Sequence, residues 1–474
     1  MDMESACTTI LVGKKASLDG STMIARNDDT FMPLTPQRFY MNPAVKGRKG
    51  EKIKSWLNGF EATLPEDGYR WPAVPNVDYK NKGYYDESSI NEVNVAMSCT
   101  ESTYGNEKSL AYDPLVKDGL DEDCMQAMVA PYINSAREGV SYLGNLIKQY
   151  GSPAGNSVLF SDHDEVWYME IVTGHLWLAQ RIPDDGYAVA ANQVAIQQVD
   201  FSDTDNFMWA EGIQEYVEKH HLNPDKTGWN FRHIFGTMNE KDRHYNTPRV
   251  WYAHHLFDSE FDMSPESADL PFIRKIEHKI SVEDIEMLLG SHYNETEFDP
   301  MGHGADADKY RYRPIGLNRT QNAHILQLRN DVPKEQAAIM WITLGMPTYT
   351  PFIPFFTNAN DTDPSFSETP MKWDINSAYW MYRTISVLVE GHYSQHIQGN
   401  VDYLTSCKQE LRTMLDSIEE EAKNYQGEAL TKYLTEQNYL IVNTMKDKAM
   451  GMIGELVMSG INLSKLTFNM DRNL

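Results

Sequence analysis

The sequence predicts an α+β protein in which antiparallel sheets are covered by helices. Three observations carry the prediction. β-Branched and apolar runs meet across short turns near residues 8–26 and again between 157 and 191. Strand-like runs return at 324–329 and 337–344. Helical apolar spacing then dominates from about 374 onward.

Thr8 to Gly13 reads TTILVG, an apolar, β-branched run that suits a buried strand. Asp19-Gly20 and then STMIAR complete a hairpin signature. Residues 93–102 form a third strand candidate, entered through a tight turn at Ile90-Asn91-Glu92. Residues 126–149 carry helical spacing that ends at Tyr150-Gly151, with Pro153 beyond. A three-strand meander follows, turning at Asp162–Asp164, at Thr173-Gly174-His175 and at Pro183-Asp184-Asp185-Gly186. Residues 206–221 read as helix, within a mixed, polar insert over about 205–310. The stretches 374–398 and 403–458 read as largely helical, broken near Gly427 and Gly451. No repeat and no Pro/Gly/Ser-rich linker divides the chain, so one large domain with a helical C-terminal part, about 374–474, is expected.

With 42 basic and 68 acidic residues the net charge is −26, which repels nucleic acid and anionic membrane surfaces. Neither is expected as a partner. The four cysteines, Cys7, Cys99, Cys124 and Cys407, form no CxxC pair and fit a reducing compartment. The N-terminus MDMESACTTILVGKK has acidic residues where a secretory signal needs basic ones. No stretch reaches the roughly 18 apolar residues of a membrane span. A cytoplasmic location is expected.

The chemically informative region begins at Cys7, at the head of the first strand. Arg26-Asn27-Asp28-Asp29 ends the strand that pairs with it, so the hairpin brings a guanidinium and carboxylates beside a thiol. A nearby arginine favours the thiolate of a group that titrates at about 8.5. Removal of the six leading residues would give Cys7 a free α-amine, which titrates at about 7.7–8.0 and can act as a local base. Asp29 could orient that amine or the arginine. The bland alternative is a strand-end salt bridge from Arg26 to Asp28 or Asp29.

The run CTTILVGKKAS-x-DGST-x-IARNDD resembles the opening of the lactobacillal dipeptidases, peptidase family C69. That family is similar in its N-terminal-nucleophile fold to penicillin V acylases and bile salt hydrolases. The likeness continues through SINEVNVAMSCTES (89–102), DHDEVWYMEIVTGHLWLAQRIPDDGYAVAANQ (162–193), RPIGLNRT (313–320) and WDINSAYWMYR (373–383), most of the chain. It implies a four-layer αββα sandwich over 7–474 and a short propeptide, 1–6, cleaved between Ala6 and Cys7. It implies Cys7 as nucleophile, Arg26 and Asp29 as its flanking pair, and Asn192 as an oxyanion-hole amide. A neutral donor there stabilises a developing oxyanion without neutralising the thiolate.

Asn91-Glu92 matches a pair that makes a hairpin turn in the related acylases, and ten positions on lies Glu101. Its carboxylate is expected to hold a dipeptide's α-ammonium, and its backbone N–H to complete the oxyanion hole. Arg319 is expected to match the last arginine of the acylases or to hold a substrate carboxylate. Two positions depart from the family pattern: Asp28 stands where glutamate is usual, and Ser89 where glycine is usual. The implied activity is hydrolysis of unsubstituted dipeptides by a homo-oligomer without cofactor. Two alternatives stay open, an acylase acting on penicillin V or bile-salt amides and a non-enzymatic secernin-like protein.

No metal site is expected. His254 and His255 are adjacent and diverge, no HExxH occurs, and Asp299, His303, Asp306 and Asp308 lack a closing glutamate and read as a solvated loop. The segment MPTYTPFIPFF (346–356) is expected to pack as an irregular loop over the sheet.

Overall fold

The computed structural model describes residues 7–464 apart from 31, 33 and 277. The propeptide expected over 1–6 lies outside the described residues.

Strand β1 (Thr8–Val12) and strand β2 (Thr22–Asp29) form the expected hairpin, with Thr9 opposite Arg26 and Thr8 opposite Asn27. Gly20 at φ +80° makes its turn, and the Asp19 carboxylate accepts the Ser21 N–H at 3.0 Å. Next come β3 (Ser88–Ile90) and β4 (Ala96–Glu101). Between them Asn94 takes φ 63°, and the Asn91 Oδ1 accepts the N–H groups of Val93 and Val95. The Asn91 amide oxygen is therefore spent on the turn, as expected, while its Nδ2 donates to the Ala130 and Ile133 carbonyls, both at 2.8 Å. Helices α1 (Glu122–Val129) and α2 (Ala136–Tyr150) follow. The helix expected over 126–149 is thus split, because Pro131 cannot continue the ladder and sits in a single tighter turn.

The meander is β5 (Asn156–Ser161), β6 (Val166–Ile171) and β7 (Trp177–Ile182), while β8 (Gly186–Ala190), beyond the last turn, crosses to the other sheet and pairs with β1. In place of one helix over 206–221, β9 (Phe207–Trp209) pairs with β7 and a short helix covers Ile213–Lys219. Helix α3 (Thr247–Phe257), β10 (Ile273–Lys275) and α4 (Val282–Leu289) complete the insert. Strands β11 (Thr320–Leu328) and β12 (Ala338–Thr343) appear where expected, β11 starting four residues early. Part of the loop expected at 346–356 is instead β13 (Ile353–Phe356). Its Pro354 is tolerated because β13 is an edge strand. Helices α5 (Ala378–Gly391), α6 (Tyr393–Ala422) and α7 (Gly427–Asn462) end the chain. Gly451 does not break α7. An exposed mid-helix glycine costs about 1 kcal/mol, and the buried stripe Ile441, Met445, Ala449, Met452 and Leu456 outweighs it.

One sheet has the order β10-β8-β1-β2-β11-β12-β13 and the other β9-β7-β6-β5-β4-β3. They pack face to face through β1 and β2 against β4, β5 and β6. Helices α1 and α2 cover the second sheet, while α3, α4 and α7 cover the first, which gives the expected αββα layering. Both faces of β1 and β2 are therefore dry, which explains apolar runs without alternation. At the β13 edge the Asn438 side chain of α7 takes the place of a further strand. Its Oδ1 accepts the Phe356 N–H and its Nδ2 donates to the Phe356 carbonyl, both at 3.0 Å. Among the described residues no helix is long and apolar enough to cross a membrane.

Candidate active site

The hairpin register sets the thiol beside the guanidinium. Arg26 Nη1 donates to Cys7 Sγ at 3.1 Å, and both side chains are buried. The ion pair of Arg26 is with Glu87, at the entry to β3, and not with Asp28 or Asp29. Asp28 accepts from Gln37 Nε2 at 2.6 Å and Asn322 Nδ2 at 3.1 Å. Asp29 accepts from the Arg313 guanidinium and the Thr320 hydroxyl. The expected flanking residue is thus beside the site, but its partners come from the segment that leads into β11.

Asn322 fixes a further tautomer. Its Nδ2 is committed to Asp28, so its Oδ1 accepts from His324 Nδ1 at 3.0 Å, leaving His324 Nε2 to accept from the Ser98 hydroxyl at 2.9 Å. His324 pairs with Arg26 across β2 and β11. Burial, with the Arg26 charge second, holds it well below the ordinary imidazole range, so it stays neutral.

The expectation that Arg26 eases ionisation of the thiol is outweighed. Burial pushes Cys7 up to about 11, Arg26 pulls it down, and Asp28, Asp29 and Glu122 push it up again. Glu122 on α1 is itself raised to about 8 by burial and then by Asp121. It accepts from the Tyr85 hydroxyl at 2.6 Å and from the Glu101 backbone N–H. That N–H, expected in the oxyanion hole, is therefore already committed.

Asn192 follows β8. Its Nδ2 donates to the Glu101 carbonyl at 3.1 Å, and its Oδ1 accepts from Arg249 Nη2 at 2.6 Å. The second Nδ2 hydrogen is still available, since an amide carries two. Arg249, on α3, also donates to the Cys7 carbonyl at 2.6 Å and to Thr8 Oγ1 at 3.0 Å. It thereby ties Asn192 to the nucleophile position. The chain just beyond Asn192 is clamped by Glu170 of β6, which accepts the Ala195 and Ile196 N–H groups at 2.6 and 3.2 Å. Arg319 sits where β11 begins; its carbonyl accepts the Thr30 N–H at 3.2 Å. Arg313, six residues earlier, is the arginine that reaches Asp29.

Sequence reasoning thus collected Cys7, Arg26, Asp29, Asn192 and Glu101 around one point and missed Glu87, Glu122, Arg249 and Arg313. Only Arg313 carried a signal, since it opens the RPIGLNRT motif. Of the dismissed groups, His254 lies between the Tyr187 hydroxyl and the Pro271 carbonyl, while His255 stacks on Trp251. Asp299 pairs with His292.

A buried thiol under a guanidinium, with a clamped amide and a carboxylate strand end nearby, brings together groups that hydrolytic chemistry on an amide can use. The chain belongs to peptidase family C69, whose pattern matches residues 6–405. It is 52% identical over 470 residues to a probable dipeptidase of Latilactobacillus sakei, covering 99% of this chain and 98% of that protein. It is 36% identical over 472 residues to dipeptidase A of Lactobacillus helveticus, covering 98% and 99%. A penicillin V acylase structure from Agrobacterium tumefaciens is a distant likeness, 13% identical at TM-score 0.31 over 73% of this chain and 85% of that one.

Proposed function

We propose that this protein is a cysteine dipeptidase whose nucleophile, Cys7, becomes the first residue when the chain is cleaved after Ala6. The observation that carries the reading is the 3.1 Å contact from Arg26 to the Cys7 thiol inside a site that keeps that thiol protonated. A thiol raised to about 11 needs a base beside it. The α-amine released by cleavage is that base, titrating at about 7.7–8.0 in model peptides.

The Cys7 proton passes to the α-amine as the sulfur attacks the peptide carbonyl. The carbonyl oxygen becomes an oxyanion that accepts a hydrogen bond from Asn192 Nδ2. The resulting ammonium returns the proton to the departing amine, and the C–N bond breaks to leave a thioester. The α-amine then takes a proton from water, whose oxygen attacks the thioester, and the sulfur leaves to recover the thiol. Arg249 holds Asn192 by its Oδ1, so the amide cannot flip and present oxygen to the oxyanion.

The test joins intact mass, alkylation and a dipeptide assay. A mass lacking MDMESA, with Cys7 alkylation abolishing hydrolysis, is the expected result. Full-length protein whose activity ignores Cys7 alkylation refutes the reading.

A further inference from the structure

Two phenol hydroxyls at this site are out of solvent and have no hydrogen-bond partner among the described residues, those of Tyr104 and Tyr245. A buried hydroxyl without a partner is costly, so native proteins retain few of them. Tyr104 lies three residues beyond the end of β4, within electrostatic reach of Glu101, Glu122, Tyr245 and Cys7. Tyr245 lies under two guanidiniums, with Arg249 at 5.1 Å and Arg313 at 5.4 Å from its ring centroid.

The surrounding charges differ in sign. Arg313 is balanced by Asp29. Arg249 is fully buried and donates only to neutral acceptors: the carbonyls of Cys7 and Tyr245, the Thr8 hydroxyl and the amide oxygens of Asn192 and Asn246. Among the described residues no carboxylate lies within salt-bridge distance of it. A buried cation without a counterion favours an anion close by. Near Tyr104 the Glu101 carboxylate favours a cation, while Glu122, raised to about 8, is largely protonated at neutral pH.

We propose that Tyr245 and Tyr104 are substrate-binding residues that read the two charged ends of a dipeptide. The Tyr245 hydroxyl, beneath Arg249, donates to the terminal carboxylate. The Tyr104 hydroxyl, beside Glu101, accepts from the α-ammonium. The pair orients the zwitterion across Cys7 and selects chains with both ends free. This rests on the dipeptidase reading above.

The test uses Tyr245→Phe and Tyr104→Phe, which keep both rings, with alanylalanine, its C-terminal amide and its N-acetyl derivative. Binding of each blocked compound is read as KM if it is turned over and as Ki against alanylalanine if it is not. Tyr245→Phe is expected to raise KM for alanylalanine about tenfold, a hydrogen bond to a charged group, and to move the amide's constant less than twofold. Tyr104→Phe is expected to do the same with the N-acetyl derivative as the insensitive compound. In the wild type both blocked compounds bind at least tenfold more weakly than alanylalanine, a measurement that needs no variant to fold. Equal wild-type binding, an unchanged KM in the variants, or the same factor for free and blocked compounds overturns the proposal. A wild type that hydrolyses no dipeptide overturns the dipeptidase reading and this one with it. An active dipeptidase with unaltered variants overturns this one alone.

Discussion

Raising the pH on the uncleaved chain is a direct probe of the site's electrostatics. The thiol of Cys7 is pushed from its ordinary 9.0 to about 11, chiefly by burial. Two units are a hundredfold. At pH 7.5 roughly 3 thiols in 10,000 are ionised, against roughly 3 in 100 for an ordinary cysteine. Labelling with iodoacetamide, read at the Cys7 peptide by mass, is expected to rise with a midpoint near 11. Restricted access lowers the plateau and leaves the midpoint where it is. The same shift is a stability statement. The folded chain holds the proton more tightly than the unfolded one. Below pH 9 it adds nothing, and between 9 and 11 it destabilises the fold by up to about 3 kcal/mol as only the unfolded thiol ionises. In the proposed mature form an ammonium beside the sulfur lowers the midpoint. A labelling midpoint at or below 9 in the uncleaved chain would refute the account of burial and surplus carboxylates.

Asn192→Ala should reduce kcat about 100- to 1,000-fold, the usual loss for one oxyanion donor, with the circular dichroism spectrum unchanged; a loss below threefold sinks the assigned role. Glu87→Gln breaks the buried pair with Arg26 and should cost about 3–5 kcal/mol in urea unfolding. A cost under 1 kcal/mol would mean that Arg26 is held by other contacts. Gly451→Ala, at an exposed position where an added Cβ meets nothing within 4 Å, should stabilise α7 by up to about 1 kcal/mol. An unchanged or lower melting temperature counts against the view that α7 passes Gly451 at a cost.

How much of this was legible in the sequence depends on sequence separation. The Cys7–Arg26 contact was readable because Asp19-Gly20 announces a two-strand turn, and a hairpin's register is nearly forced once both strands are known. The Asn91 turn was readable for the same local reason. Arg249 was not, because it lies 242 residues from the Cys7 carbonyl it holds, and nothing in its helix reports that distance. Glu87 escaped notice because a carboxylate before a strand looks like any solvated charge until the facing sheet, which carries Arg26, covers it. Arg313 was passed over because nothing within RPIGLNRT says that its first residue reaches Asp29, which only the approach to β11 arranges. Pro131 and Gly451 show the two directions in which local rules err. Proline's missing N–H is absolute, while glycine's cost is small enough for packing to override.

The Asn438 side chain on the outer strand has a consequence for crowding and self-association. An open sheet rim is a template on which another polypeptide can polymerise. Here the donor and acceptor of Phe356 are already answered by an amide from α7, and Pro354 offers no N–H. A second molecule arriving at that rim finds no ladder to extend. Association between copies at this rim has to use side-chain surfaces, with a register set by shape, and at high concentration the rim gives no seed for fibrils.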